Sequence, residues 1–200
     1  MKPVRFHSWN VSPDEASAIQ INLRDKVQVQ PLPDEIHLVI GTSVAIDPNN
    51  DTIHAALVVL RFPDMELVER HGLSEKITFP YVRGLLAFRE APPLMKLMKR
   101  IQHKPDVILF HSHGLAHPRR FGLASHLGVL FDIPSIGVAD RVLVGYHDDI
   151  DSEKGHHAPL IHNGEEIGLA LRTKEGVSPM FISVGHKADL LTTMDFTLEC

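Results

Sequence analysis

Residues 106–120 read DVILFHSHGLAHPRR. Four apolar residues, Val107 to Phe110, predict a short buried strand, and the chain then enters a loop with three histidines, a glycine and two adjacent arginines. In α/β sheets ligands and chemistry gather where strands end at their carboxyl side, so this stretch predicts both a fold class and the place of a site. Imidazoles bind metals or move protons, and paired arginines suit phosphate. No carboxylate stands at the strand end; His111 does.

Upstream of this strand, Ser12-Pro13-Asp14-Glu15 is a helix start, with a serine cap, proline in the first turn and glutamate three residues after the cap. A helix is predicted from there to about Lys26, followed by a proline-containing linker from Val27 to Pro33. Three β-rich segments follow, Ile36–Ile46, Ile53–Phe62 and about Glu66–Ile77, joined by turns at Pro48-Asn49-Asn50-Asp51 and Pro63-Asp64. From Gly84 the pattern is helical, with a break predicted at Pro92-Pro93 and resumption at LMKLMKRI. Downstream, Phe121–Phe131 reads as a helix with Leu123, Leu127 and Leu130 on one face. His126 lies among these leucines and reads as a buried, hydrogen-bonded histidine. Ser135–Ala139 is a short buried strand, two strands flank an Asn163-Gly164 hairpin turn, Met180–Val184 is another strand, and Lys187–Leu198 is a terminal helix.

Three strands joined by tight turns and then strands alternating with helices specify an α/β domain with a mixed central sheet flanked by helices, the order of the ribonuclease H-like architecture. Two hundred residues suit one domain, read as an N-terminal helix and linker (1–33) and a core (34–200). With 44% hydrophobic and 22% charged residues the composition is that of a soluble globular protein. No apolar run approaches the roughly 18 residues needed to span a bilayer, the N-terminus MKPVRFHSW has no signal-peptide character, and a lone Cys200 fits a reducing compartment; the expectation is a cytoplasmic protein without a membrane partner. A net charge of −5 lowers the expectation of nucleic-acid binding without removing it, since a basic surface can be local.

Several short segments together resemble the endonuclease V family: Pro80-Tyr81-Val82-Arg83-Gly84, Phe88-Arg89-Glu90, His113-Gly114, His117-Pro118-Arg119-Arg120, Ala124-Ser125-His126-Leu127-Gly128, Ile136-Gly137-Val138-Ala139 and Gly185-His186. The resemblance runs from about Pro33 to His186. It implies a ribonuclease H-like fold, recognition of deoxyinosine in DNA or RNA, a place in DNA repair, and hydrolytic cleavage of a nearby phosphodiester with Mg²⁺ held largely by carboxylates. The residues that match the family's site depart from it. The first-strand carboxylate falls on Ser43, the strand-end aspartate on His111 and a site lysine on Asp140, whereas the carboxylate of the FRE segment is kept as Glu90. The family's C-terminal ligand segment has no counterpart before Cys200.

Mg²⁺ takes oxygen ligands in near-octahedral geometry, neutral serine is a poor ligand, and imidazole favours softer metals. One glutamate is too few donors for the ion that metal-assisted hydrolysis needs. The metal-binding residue retained is therefore Glu90, with His111 available to a softer ion, and the candidate catalytic residues are Ser43, Glu90, His111, Asp140 and His117. The binding segments are kept. The resemblance implies that Pro80, Tyr81, Val82, Arg83 and Gly84 form a wedge that opens a duplex, with Tyr81 stacking on a base. His113 and Gly114 line the approach to an extruded base, and Arg119 and Arg120 hold phosphates. Three functions follow: a relative that keeps nucleic-acid binding with cleavage lost or impaired; an active deoxyinosine-directed endonuclease whose remodelled site uses Glu90, His111 and either His113 or Asp140 with Mn²⁺ or a softer ion; or a non-catalytic module for a protein or small molecule. The first ranks ahead of the second, and the second ahead of the third.

Overall fold

The structure is a computed structural model in which residues 1–4 and 7–200 are described; Arg5 and Phe6, in the N-terminal stretch, lie outside them. Helix α1 spans Pro13–Leu23 and continues as a 3₁₀ turn over Arg24–Lys26. Its start is the capping box expected from the sequence: the Glu15 amide donates to Ser12 Oγ at 3.3 Å and the Ser12 amide to Glu15 Oε2 at 2.7 Å. Strands β1 (Leu38–Asp47), β2 (Thr52–Arg61) and β3 (Glu66–Lys76) form an antiparallel meander. Helix α2 (Leu86–Met98), strand β4 (Val107–Phe110), helix α3 (Leu123–Phe131) and strand β5 (Ser135–Ala139) alternate after it. Strands β6 (His157–His162), β7 (Glu165–Leu171) and β8 (Met180–His186) and helix α4 (Leu190–Glu199) complete the chain.

All eight strands belong to one sheet in the order β3-β2-β1-β4-β5-β8-β7-β6. Strands β1, β4 and β5 run parallel, and the other pairings are antiparallel. Alternating side chains from the same strands feed two cores. Ile40, Ile108 and Phe110 pack against α2 and α3 on one face. Val39, Val107, Ile136 and Val184 pack with Phe196 of α4 on the other. Asp106 fixes the start of the parallel trio, since its Oδ2 accepts from the amides of His37 (2.8 Å) and Leu38 (3.0 Å). The Asn163-Gly164 turn has φ of 58° and 78°, the left-handed pair that a tight two-residue hairpin requires.

The expected break at Pro92-Pro93 is absent: α2 runs through both prolines. Each removes a bond to the carbonyl four residues back, at a cost of roughly 3 kcal/mol in a helix interior. Leu94, Leu97 and Met98, one turn later, are fully buried, and each such side chain contributes about 1.5–3 kcal/mol. Ala87, Phe88 and Ala91 before the prolines are buried too, so the helix is held from both ends against the sheet and tertiary burial outweighs the local preference. Where the helix ends, Glu69 of β3 accepts from the amides of Gln102 and His103 and from the rings of His71 and His103.

His126 is fully buried as expected, but only one of its nitrogens is bonded. His7 Nδ1 lies 2.7 Å from the Ser8 carbonyl and so carries a proton, leaving His7 Nε2 to accept from His126 Nε2–H at 2.7 Å. His126 Nδ1 is then a bare acceptor without a partner among the described residues. The rings of Trp9, Phe88 and Phe121 surround it, and burial holds its pKa well below the usual histidine value.

Candidate functional site

The parallel trio aligns Thr42, Phe110 and Gly137. Ser43 and His111 are each one residue further along adjacent strands, which in a sheet lie about 4.8 Å apart. Asp140 follows the end of β5, and Ser43, His111 and Asp140 are all exposed. His113 joins them electrostatically: burial lowers its pKa, the Arg141 carbonyl 2.9 Å from Nε2 and the charge of Asp140 raise it, and His111 lowers it. The loop thus bends enough to bring His111, His113 and Asp140 into one neighbourhood at the carboxyl ends of β4 and β5.

Glu90 has a different setting. It is buried in α2, and desolvation pushes its pKa up to about 8 against a modest opposing pull from Arg89. Among the described residues no group of three or more His, Cys, Asp or Glu side chains stands close enough to hold a metal ion.

A cavity of about 120 Å³ opens beside this cleft. Tyr81, Val82, Arg83 and Gly84 form one wall, and Ser112, His113 and His117 form another. Pro80 precedes the wall and is exposed. Tyr81 is 72% exposed, an unusual position for a large aromatic, with the Arg89 guanidinium 6.0 Å from its ring centroid. Gly114 is set by close approach: its amide donates to Ser183 Oγ at 2.9 Å, and a Cβ there would fall 2.0 Å from the Val184 carbonyl oxygen.

The wall is locked from behind. Gly84 has φ +81°, open to glycine and strained for other residues, and its carbonyl accepts from His117 Nε2 (2.9 Å) and Arg119 Nη2 (2.5 Å). The Arg119 amide donates to His117 Nδ1 at 3.2 Å, so the ring is neutral with its proton on Nε2. Burial is the main cause that takes the His117 pKa down to about 3, and the ring stays neutral through the physiological range. Arg119 Nε donates to Gln20 Oε1 at 2.7 Å, and Gln20 Nε2 to the Phe121 carbonyl at 2.9 Å.

Two further cations are similarly engaged. Arg83 Nη2 donates to the Leu143 carbonyl at 2.7 Å. Arg120 pairs with Glu165 at 2.8 Å and donates to the carbonyls of His117 and His162. Arg119 and Arg120 therefore make internal bonds in this structure, and any phosphate would share them with these partners.

Gln20, Ser112, Gly122 and Leu143 line the cavity without having been singled out from the sequence. Gln20 left one signal: it falls in the buried stripe Ala16–Gln20–Leu23 of α1, at i, i+4 and i+7, where an amide needs a partner.

The antiparallel meander, the parallel trio and helices on both faces are the ribonuclease H-like architecture, and the cavity lies at the strand ends where such a sheet places its site. No helix among the described residues is long and apolar enough to cross a membrane. The model of the endonuclease V family matches residues 21–200, and the chain belongs to that family. Endonuclease V of Rippkaea orientalis is 44% identical over 187 residues, 94% of this chain and 82% of that protein. The crystal structure of endonuclease V from Streptomyces avermitilis superposes with a TM-score of 0.91 at 40% identity, over 100% of this chain and 88% of that one. Endonuclease V from Ciona intestinalis, solved in complex with a 23-mer DNA containing an inosine followed by a ribo-adenosine, gives a TM-score of 0.82 at 28% identity, over 95% and 90% of the two chains.

Proposed function

We propose that the protein binds inosine-containing DNA or RNA through the cavity behind Tyr81–Gly84, and that Mg²⁺-dependent phosphodiester cleavage is lost or severely impaired. The observation that carries this reading is a cavity at the strand ends beside positions, Ser43 and His111, that offer no carboxylate. Base-flipping proteins accept an extruded base in a pocket lined by backbone and stacking groups, and here a wall fixed by His117, Arg119 and Gln20 bounds a space for one flat heterocycle. The inosine-bound Ciona relative supports the choice of ligand.

The strand-end residues do not fit Mg²⁺. Ser43 offers a neutral hydroxyl, His111 an imidazole, and Glu90 of α2 is the one carboxyl among them. A hard dication wants several ionised oxygens, and among the described residues no three suitable side chains converge.

The test is a binding titration and a cleavage assay on the same inosine-containing strands of DNA and RNA, with guanosine or adenosine controls, in Mg²⁺ and in Mn²⁺. Inosine-selective binding without strand scission is the expected result. Scission in Mg²⁺ at an ordinary enzymatic rate overturns the catalytic half. Equal affinity for control strands overturns the binding half.

A further inference from the structure

A second groove lies at the opposite end of the sheet from the cavity, between the segment entering β1, the turn after β2, and helix α4. It encloses about 530 Å³. Its floor is apolar: Leu32 and Phe196 are buried, Ile36 and Phe62 half-buried, and the two phenylalanine rings meet at 5.0 Å. Its rim is acidic: Asp34, Glu35, Asp195 and Glu199 line it and all four are exposed. The only ion pair reaching these carboxylates among the described residues is His37 Nε2 to Glu35 Oε2, at 3.8 Å. Elsewhere Glu165 is engaged by Arg120 and Asp132 by Lys187.

We propose that this groove docks a cationic segment of a partner protein, with lysines or arginines against the acidic rim and one aliphatic or aromatic side chain on the Phe62–Phe196 floor. Charge complementarity selects that occupant over the alternatives. Nucleic acid is repelled by four carboxylates. A second copy apposing the same groove would face like charge with like charge, in a chain of net charge −5. A bare divalent ion needs three or more convergent ligands, and no such group exists among the described residues. A cationic peptide with an apolar anchor satisfies both the rim and the floor. Because the groove is remote from the cavity, a partner held there leaves the nucleic-acid face free.

The probe is a short fluorescein-labelled peptide with lysines on both sides of a leucine, titrated by anisotropy against the full chain at low and at physiological ionic strength. Control peptides replace leucine by serine or the lysines by glutamine. The wild-type protein is expected to bind the probe, and Asp195→Lys with Glu199→Lys to weaken it by about tenfold or more, a change of ~1.4 kcal/mol per tenfold, with circular dichroism showing the fold intact. Phe62→Ser keeps the rim and removes part of the floor, and should weaken the leucine probe while leaving the serine probe unchanged. Equal binding of the leucine and serine peptides would mean a diffuse Coulombic attraction and overturns the groove. Binding unaffected by charge reversal, or self-association through this face in sedimentation, overturns it as well.

Discussion

Replacing Arg119 by methionine tests whether the wall of the cavity is locked as described. Two hydrogen bonds are lost, to Gln20 Oε1 (2.7 Å) and to the Gly84 carbonyl (2.5 Å). The Gly84 carbonyl keeps the His117 ring as donor, so most of the penalty falls on Gln20, whose Oε1 is left without its donor in a fully buried residue. Orphaning a buried acceptor costs about 1–3 kcal/mol, and with lost packing of the arginine stem the variant should lose roughly 2–4 kcal/mol. Gln20→Leu alone strips Arg119 of one partner and the Phe121 carbonyl of its donor, for about 1–3 kcal/mol. The double variant removes both halves of the Gln20–Arg119 pair, so it should lose less than the sum by about 1–2 kcal/mol, within the usual range for contacting residues. Urea denaturation followed by circular dichroism and by the fluorescence of Trp9, the single tryptophan, measures all four corners. Additivity to within ~0.5 kcal/mol would refute the lock, because uncoupled sites behave that way.

Three further outcomes follow from other parts of the molecule. Glu90 has a folded pKa near 8, above its ordinary value of 4.5, so the folded state holds a proton the unfolded state has released and stability falls as pH rises between the two. Glu90→Gln should flatten that limb in thermal unfolding measured across it, and an unchanged slope would assign it elsewhere. For Glu69, burial acts to raise the pKa, but the bonds from His71, from the His103 ring and amide and from the Gln102 amide outweigh it and hold the carboxyl at about 2. Its contribution is full above about pH 4.5 and fades as pH falls toward 2; Glu69→Gln should lower stability at neutral pH and narrow the difference from wild type in acid, as read by urea titration. Ser43→Asp combined with His111→Asp should raise Mg²⁺ affinity by calorimetric titration, since it adds two carboxylates one residue past the paired positions Thr42 and Phe110 of adjacent strands; no gain in a folded double variant would place the obstacle in Glu90 or in the shape of the cleft.

The strands and most helices were legible because their signals are local. Val107–Phe110 is bounded by Asp106 and a histidine-glycine loop, and the observed strand has those same limits. The capping box and the Asn-Gly turn specify backbone conformation within four residues. Helix α2 was misread at Pro92-Pro93 because the burial that sustains it comes from strands and a helix distant in sequence. Gln20 escaped for the same reason, as its partners lie about a hundred positions away. The His126 reading was right on burial and half right on bonding, since its single partner, His7, belongs to a segment with no pattern of its own. Resemblance to a family located the wall of the cavity, while the engagement of Arg119, Arg120 and Arg83 within the protein depended on side-chain geometry that no linear motif encodes.

The exposed strand ends have a consequence for how such chains diverge. His111 and Asp140 follow the last residues of β4 and β5, Ser43 lies one residue past the last β1–β4 pair while still pairing with Ala56 of β2, and all three are exposed and carry little of the burial that holds the sheet together. Exchanging a residue there leaves Ile40, Ile108, Phe110 and Ile136 in place, so selection for a foldable chain has almost no grip on these positions. Descent can therefore change what stands at the end of each strand while overall identity to relatives stays near two in five, because that identity is averaged over 187 residues and these are three of them.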